Sequence, residues 1–209
     1  MEVVKKEKDS DRVLEGAVFA LCAKNDITGA DGKVILEADT VIEELATDKD
    51  GKLTFTADLP IGFEYYIKET SPAPGFATTD ETQEFTFEYE GAEKEKVSYS
   101  FTFEDEPTVI EITKTSLTDG KELEGAKLQV TDESGKVVDS WTSGKEAHII
   151  KELVVGQKYT LTETKPADGF VTAESITFTV KDNAEAQKIE MKDDVTKVEI
   201  SKTDISGKE

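Results

Sequence analysis

"VIEITK", residues 109–114, sets Ile110 and Ile112 on one side of an extended chain and Glu111 and Thr113 on the other, so a strand that buries the two isoleucines also turns Lys114 inward. Two later stretches repeat the parity. In "YTLTET", residues 159–164, Tyr159 and Leu161 carry Glu163 to the core side; in "KIEMKD", residues 188–193, Ile189 and Met191 carry Asp193. The first half of the chain says the same in different residues. Met1 and Val3 share a face with Lys5, Phe63, Tyr65 and Ile67 with Glu69, and Tyr99, Phe101 and Phe103 with Asp105. Two independent stretches of sequence thus each aim a lysine and two carboxyls at an apolar interior, where an unpaired charge is so costly that such groups neutralise, pair or react.

The chain is a repeat of itself. "EVVKKEKDSDRVLEGAVFAL" aligns without gaps on "EITKTSLTDGKELEGAKLQV", placing Lys5 on Lys114, and "YYIKETSPAPGF" aligns on "YTLTETKPADGF", placing Glu69 on Glu163. "FEDEPTVIEITK" meets "MKDDVTKVEISK", which puts Asp105 on Asp193 and Lys114 on Lys202. The repeat length is about 100 residues, the size of one domain. The expected organisation is a first domain over residues 1–106, a second over 107–196, and the first strand of a third, cut-off repeat over 197–209, with Lys202 lacking its partners.

Runs of alternating pattern rich in Val, Ile, Thr, Phe and Tyr, separated by "TDKDGK", "DESGK" and "PADG", predict an all-β protein. Strands are expected near 1–5, 16–23, 33–37, 41–46, 52–57, 63–69, 83–89 and 96–104, then 109–114, 126–132, 136–142, 146–152, 158–164, 175–181 and 186–192. Seven or so strands per repeat indicate a β-sandwich. "EADTVIEELATD" has the Glu and Leu content of a helix and competes with the strand reading there.

With Lys plus Arg at 25 and Asp plus Glu at 46, the net charge of -21 excludes nucleic acid and anionic membranes as partners. No apolar run is long enough to span a bilayer, and the chain opens directly in a strand rather than a secretion signal. The single cysteine, Cys22, sits among apolar strand residues and reads as a small buried hydrophobe. Asp48, Asp50 and Gly51 of "TDKDGK" lack the third acidic ligand and distal Glu of a calcium loop and read as a hairpin turn. His148, with no cysteine beside it, is neither a zinc ligand nor a base, and Trp141 reads as core or edge packing. No metal and no cofactor is implied.

A lysine and a carboxyl condense to an amide only if the amine is neutral, the acid protonated, the two in contact and water kept away. Burial lowers a lysine pKa and raises a carboxyl pKa, and folding supplies effective molarities of about 10⁵–10⁸ M. In this reading Lys114 is the nucleophile, Asp193 the carbonyl that loses water, and Glu163 the acid/base that polarises it. Lys5, Asp105 and Glu69 repeat those roles. The neighbours Glu106 and Asp194 fall on the solvent face by parity.

The chain resembles tandem Cna protein B-type domains, also called SpaA-type or prealbumin-like domains, of Gram-positive pilins and surface adhesins. The residues that carry the resemblance are the openings "VIEITKT" and "VEISKTD", the two "LEGA" segments, the glutamate-containing "LPIGFEYYIKETSPAPGF" and "GQKYTLTETKPADGF", and the closing "FEDE" and "MKDD". The resemblance implies two tandem Ig-like (prealbumin-like, inverse-Ig) sandwiches. It also implies isopeptide bonds Lys5–Asp105 and Lys114–Asp193, promoted by Glu69 and Glu163 and formed once per domain without turnover. Asp where the family often has Asn implies loss of water rather than ammonia. The opening "VVKKEK" departs from the pattern by setting Lys6 beside Lys5, and a first strand that frayed would leave Lys5 unreacted.

The function so implied is a monomeric, extracellular stalk segment of a cell-wall surface protein or pilus, whose partners are further domains of the same parent chain. The alternative is an adhesive module that binds a host protein or glycan through loops or sheet faces; few exposed aromatics and no long loop speak for it.

Overall fold

A computed structural model describes residues 1–88, 97–198 and 200–202. The expected strand ends at residues 89 and 96 lie outside the described residues. Among the described residues there is no helix, and the chain forms two compact units. One comprises Met1–Val109 with Lys151–Gly156 and Val180–Ala186, the other Ile110–Ile150, Gln157–Thr179 and Gln187–Glu209.

The first unit runs β1 (Glu2–Glu7), β2 (Val18–Ala23), β3 (Ile27–Thr28), β4 (Val34–Leu36), β5 (Val41–Ala46), β6 (Lys52–Thr54), β7 (Glu64–Ser71), β8 (Thr82–Thr86) and β9 (Ser100–Asp105). Its sheets have the orders β6-β1-β9 and β5-β2-β7-β8, with β3 and β4 forming a separate short hairpin. The core draws alternate residues from both sheets. Val3, Leu53, Phe101 and Phe103 from one meet Phe19, Leu21, Tyr65, Ile67 and Phe85 from the other. The Phe19 and Phe103 rings, 4.9 Å apart, cross the gap between the sheets. Burying one such ring contributes about 1.5–3 kcal/mol, enough to hold the two layers in register.

The second unit repeats the plan with β10 (Val109–Ser116), β11 (Lys127–Asp132), β12 (Val137–Thr142), β13 (His148–Lys151), β14 (Lys158–Lys165), β15 (Ile176–Thr179) and β16 (Gln187–Asp193). The sheet orders are β13-β10-β16 and β12-β11-β14-β15. Ile110, Ile112 and Met191 are buried on the three-stranded side, and Leu128, Val130, Tyr159, Leu161 and Phe178 on the other. The helix-like composition of residues 37–48 yields to tertiary pairing. β5 lies antiparallel against β2, and Glu43 accepts the backbone N–H groups of Thr56 and Ala57 at 2.8 and 2.9 Å.

One topological feature positions everything that follows. The first and last strands of each unit are hydrogen-bonded neighbours running parallel. Lys5 pairs with Phe103 and Glu7 with Asp105 in the first unit; Lys114 pairs with Met191 and Ser116 with Asp193 in the second. The lysine and aspartate therefore share a face, two residues out of step.

Candidate functional site

Each unit buries one lysine and two carboxyls together. Lys5 is 0% exposed and Lys114 2%, a degree of enclosure that lysine reaches only beside compensating groups. In the first unit the Lys5 ammonium donates to Asp105 Oδ1 and lies 3.1 Å from Glu69 Oε1. In the second, Lys114 donates to Asp193 Oδ1 and lies 3.0 Å from Glu163 Oε1. Lysine and aspartate come from adjacent strands of one sheet. The glutamate reaches them from the facing sheet, where Glu69 lies opposite Phe19 of β2 and Glu163 opposite Leu128 of β11. All six residues singled out by strand parity thus meet in two equivalent clusters. Their neighbours turn outward: Glu106 pairs with Lys8 and Asp194 with Lys197, all four partly exposed.

The register slips beside the glutamate in both units, between Val18 and Phe19 opposite Glu69 and between Lys127 and Leu128 opposite Glu163. Such bulges bend a strand and re-aim its side chains. The residue after each glutamate ties the bulge down. Thr70 Oγ1 donates to the Val18 carbonyl at 3.3 Å, and Thr164 Oγ1 to the Lys127 carbonyl at 3.1 Å. The repeated "ET" pair is the sequence signal for this arrangement, and a reading by alternation alone passes over it.

Beyond the glutamate the chain makes a tight turn and comes back. The Phe76 N–H donates to the Ala73 carbonyl and the Phe170 N–H to the Ala167 carbonyl, at 3.0 and 3.1 Å. The third turn positions are Gly75 and Gly169, at φ +91° and +88°, a left-handed conformation that excludes most side chains. Ala77 then donates to the carbonyl of Glu106, and Val171 to that of Asp194, fastening the loop to the chain just past each aspartate. Ten residues after each glutamate, the backbone N–H of Thr79 donates to Glu69 Oε2 at 2.9 Å and that of Ala173 to Glu163 Oε2 at 2.8 Å.

One positive charge faces two potential negative ones in each cluster, with little solvent. Burial pushes the Glu69 carboxyl up to about 7, against the opposing pull of Lys5 and the Thr79 N–H. Burial likewise raises Asp105 and Asp193, each opposed by its lysine. Asp105 Oδ2 and Asp193 Oδ2 are buried without a hydrogen-bond partner, and Glu69 Oε1 and Glu163 Oε1 are buried with only the ion-pair contact to their lysine. A carboxyl held above its ordinary 4.5 binds its proton more tightly folded than unfolded. Its contribution to stability in the unlinked protein is therefore complete below 4.5 and is lost as the pH climbs through about 7. What such a cluster can do chemically is hold an amine and an acid in contact at the overall charge of zero from which an amide forms.

The remaining candidates have structural places. Cys22 is buried and its thiol is pushed up by that burial. Asp48 Oδ1 accepts the N–H groups of Asp50 and Lys52, closing a hairpin turn. His148 of β13 lies 2.8 Å from Asp139 and stacks at 4.0 Å on Trp141, both of β12, so the three side chains link the edge strands of the two sheets. No group of three or more His, Cys, Asp and Glu suited to a metal occurs among the described residues. No described helix is long and apolar enough to cross a membrane.

Comparison with known proteins adds a family. The chain matches the model for SpaA, prealbumin-like fold domain, over residues 1–101 and again over 108–195. Among solved structures it is similar to the Bacillus anthracis TIE protein, with 24% identity and a TM-score of 0.52 over 93% of this chain. The chain spans 33% of that protein's length, and at this identity the likeness speaks to the fold alone. It is also similar to the shaft pilin SpaA from Lactobacillus rhamnosus GG, at 15% identity over 95% of this chain and 98% of that one, with a TM-score of 0.40. For the streptococcal ancillary pilin the figures are 22% identity, 92% and 61% coverage and a TM-score of 0.36. Nothing among the curated proteins matches.

Proposed function

Because this chain belongs to the SpaA family of prealbumin-like fold domains, we propose that it is a length of load-bearing stalk from a Gram-positive surface protein or pilus, each unit locked by an amide bond between its first and last strands. The family supports a structural role at the cell surface. The finer reading rests on one observation: two units of different sequence enclose the same lysine, aspartate and glutamate, with the amine against the aspartate in both.

The reaction balances within the cluster. Starting from an ammonium, an ionised aspartate and a protonated glutamate, one proton passes from Nζ to the aspartate without exchange with solvent. Nζ of Lys5 or Lys114 then adds to Cγ of Asp105 or Asp193. The C–O bond breaks, and one aspartate oxygen leaves with two of the former ammonium protons as water. Glu69 or Glu163 lends a proton to the developing oxyanion and recovers it, so it ends unchanged. Each unit reacts once and the protein turns nothing over. The domain limits proposed for this stalk are 1–106 and 107–196, with 197–209 the first strand of a further repeat; further domains of the same parent chain are the partners the reading calls for.

The test is intact mass under denaturing conditions: the full chain is expected to be lighter than its sequence by two waters, and Lys114→Ala by one. A wild-type mass equal to that of the unmodified sequence defeats the proposal.

The pH dependence has a definite sign. The reactive charge state carries one more proton than an ionised trio, and Glu69 holds that proton up to about 7. The rate of Lys5–Asp105 bond formation is therefore expected to fall as the pH rises through about 7. Timed denaturing quenches of freshly translated chain, read by mass, check it; a rate that climbs through neutrality contradicts the role given to Glu69.

A further inference from the structure

We propose that the backbone N–H groups of Thr79 and Ala173 are positioning groups that hold the acidic proton of Glu69 and Glu163 on Oε1, where it faces the aspartate carboxyl. The inference rests on the crosslinking reading above and adds to it the identity of the oxygen that carries the proton and the group that chooses it.

Three observations converge. First, each N–H donates to Oε2, at 2.9 Å in the first unit and 2.8 Å in the second. An oxygen that accepts an N–H is the carbonyl-like oxygen of a protonated acid, so the hydroxyl belongs on Oε1. Second, Oδ2 of the aspartate has no partner in either cluster, and Oε1 of the glutamate has none beyond its ion-pair contact with the lysine. A single proton on Oε1 donated to Oδ2 gives that buried aspartate oxygen a donor, while Oε1 keeps its contact with the lysine. A proton on Oε2 leaves Oδ2 without a donor and opposes the amide hydrogen that already occupies that side. Third, the residue supplying the N–H is Thr in one repeat and Ala in the other, at the same ten-residue distance from the glutamate. Their side chains have no chemistry in common; the backbone donor is what the two units share.

The loop that brings the donor into place is built for the purpose. The left-handed Gly75 and Gly169 close the turn, and the Ala77 and Val171 amides fasten the loop behind the aspartate, so both partners of the proton are held by one segment. A hydrogen bond of this kind acts before the chemistry, by fixing which way the acid points.

The experiment replaces the Thr79 amide by an ester, using the α-hydroxy analogue of threonine in cell-free translation of the full chain. This removes the N–H and keeps the side chain. Thr79→Ala, which keeps the N–H, is the matched variant, and Thr79→Pro a genetically encoded counterpart of the ester. The crosslinked Lys5–Asp105 peptide pair is quantified by mass spectrometry after timed quenches across pH. The ester variant is expected to form the bond about tenfold more slowly at neutral pH, the scale of one lost orienting hydrogen bond. Its alkaline fall in rate moves to higher pH, because an N–H donor favours the ionised acid and its loss favours the protonated one. Thr79→Ala crosslinks like the wild type.

An ester variant with unchanged rate and pH profile overturns the inference. So does one that is slower with the profile unmoved, since that is the mark of a loop that merely packs. Neither outcome touches the crosslink itself, whereas a wild-type chain with no missing water removes the reading on which the inference stands.

Discussion

Glu163→Ala leaves the chain short of its own sequence mass by one water where the wild type is short by two, and melts its second unit far below the first. Glu163 meets the amine at 3.0 Å from the facing sheet, and removing it takes away the acid proposed to polarise the Asp193 carbonyl. General acid–base assistance of this kind is worth about 10²–10⁴ in rate, so the bond does not form on the time scale of preparation. Lys114 and Asp193 are 79 residues apart in sequence. By analogy with disulfides, closing a loop of that length stabilises by about 4–5 kcal/mol, an entropic figure that depends on the model used. For a domain of this size about 1 kcal/mol moves the midpoint by roughly 4–8 °C, so the loss amounts to roughly 16–40 °C in the second transition. Differential scanning calorimetry alongside intact mass checks both halves of the expectation. A Glu163→Ala protein that has still lost two waters, or that melts like the wild type after losing one, contradicts it.

Pulling the second unit by its ends gives the largest effect of all. Force applied at residues 107 and 196 enters along β10 and leaves along β16, and with the bond in place it passes from strand to strand through the two side chains. The chain between Lys114 and Asp193 stays outside the load path. Those 79 residues amount to about 260–280 Å of extended chain. A single-molecule stretching curve of the wild-type unit is expected to lack this extension entirely. The Glu163→Ala variant releases it in one step. A wild-type trace that lengthens by the full amount refutes the lock, whatever its thermal stability.

Much of the fold is legible in the residues because alternation and duplication speak together. Tyr159, Leu161 and Glu163 fall on one side by a simple two-residue period, and Tyr65, Ile67 and Glu69 repeat it, so a buried glutamate emerges without any knowledge of what faces it. The short β3–β4 hairpin is less legible: Val34 and Ile35 are both exposed, and two- or three-residue strands are too brief to show a period. β5 has helical composition and is a strand because β2 pairs with it, a preference imposed from outside the segment. The site divides in the same way. Its six ionisable residues announce themselves by sitting where apolar ones belong. The bulges, the threonines after each glutamate and the Thr79 and Ala173 amides do not, since a backbone N–H is present at every residue but proline and carries no signature until the chain is folded.

The two-residue offset between lysine and aspartate sets the direction of the tie. In parallel strands, tension draws β10 toward its beginning and β16 toward its end, so the strands tend to slide past one another. Asp193 lies opposite Ser116, ahead of Lys114 along that slide, and Asp105 lies opposite Glu7, ahead of Lys5. An amide formed across that offset would run as a diagonal brace does across a racking frame, slanted so that the distortion stretches it rather than folding it, and would take up load before the ladder of hydrogen bonds has begun to shear.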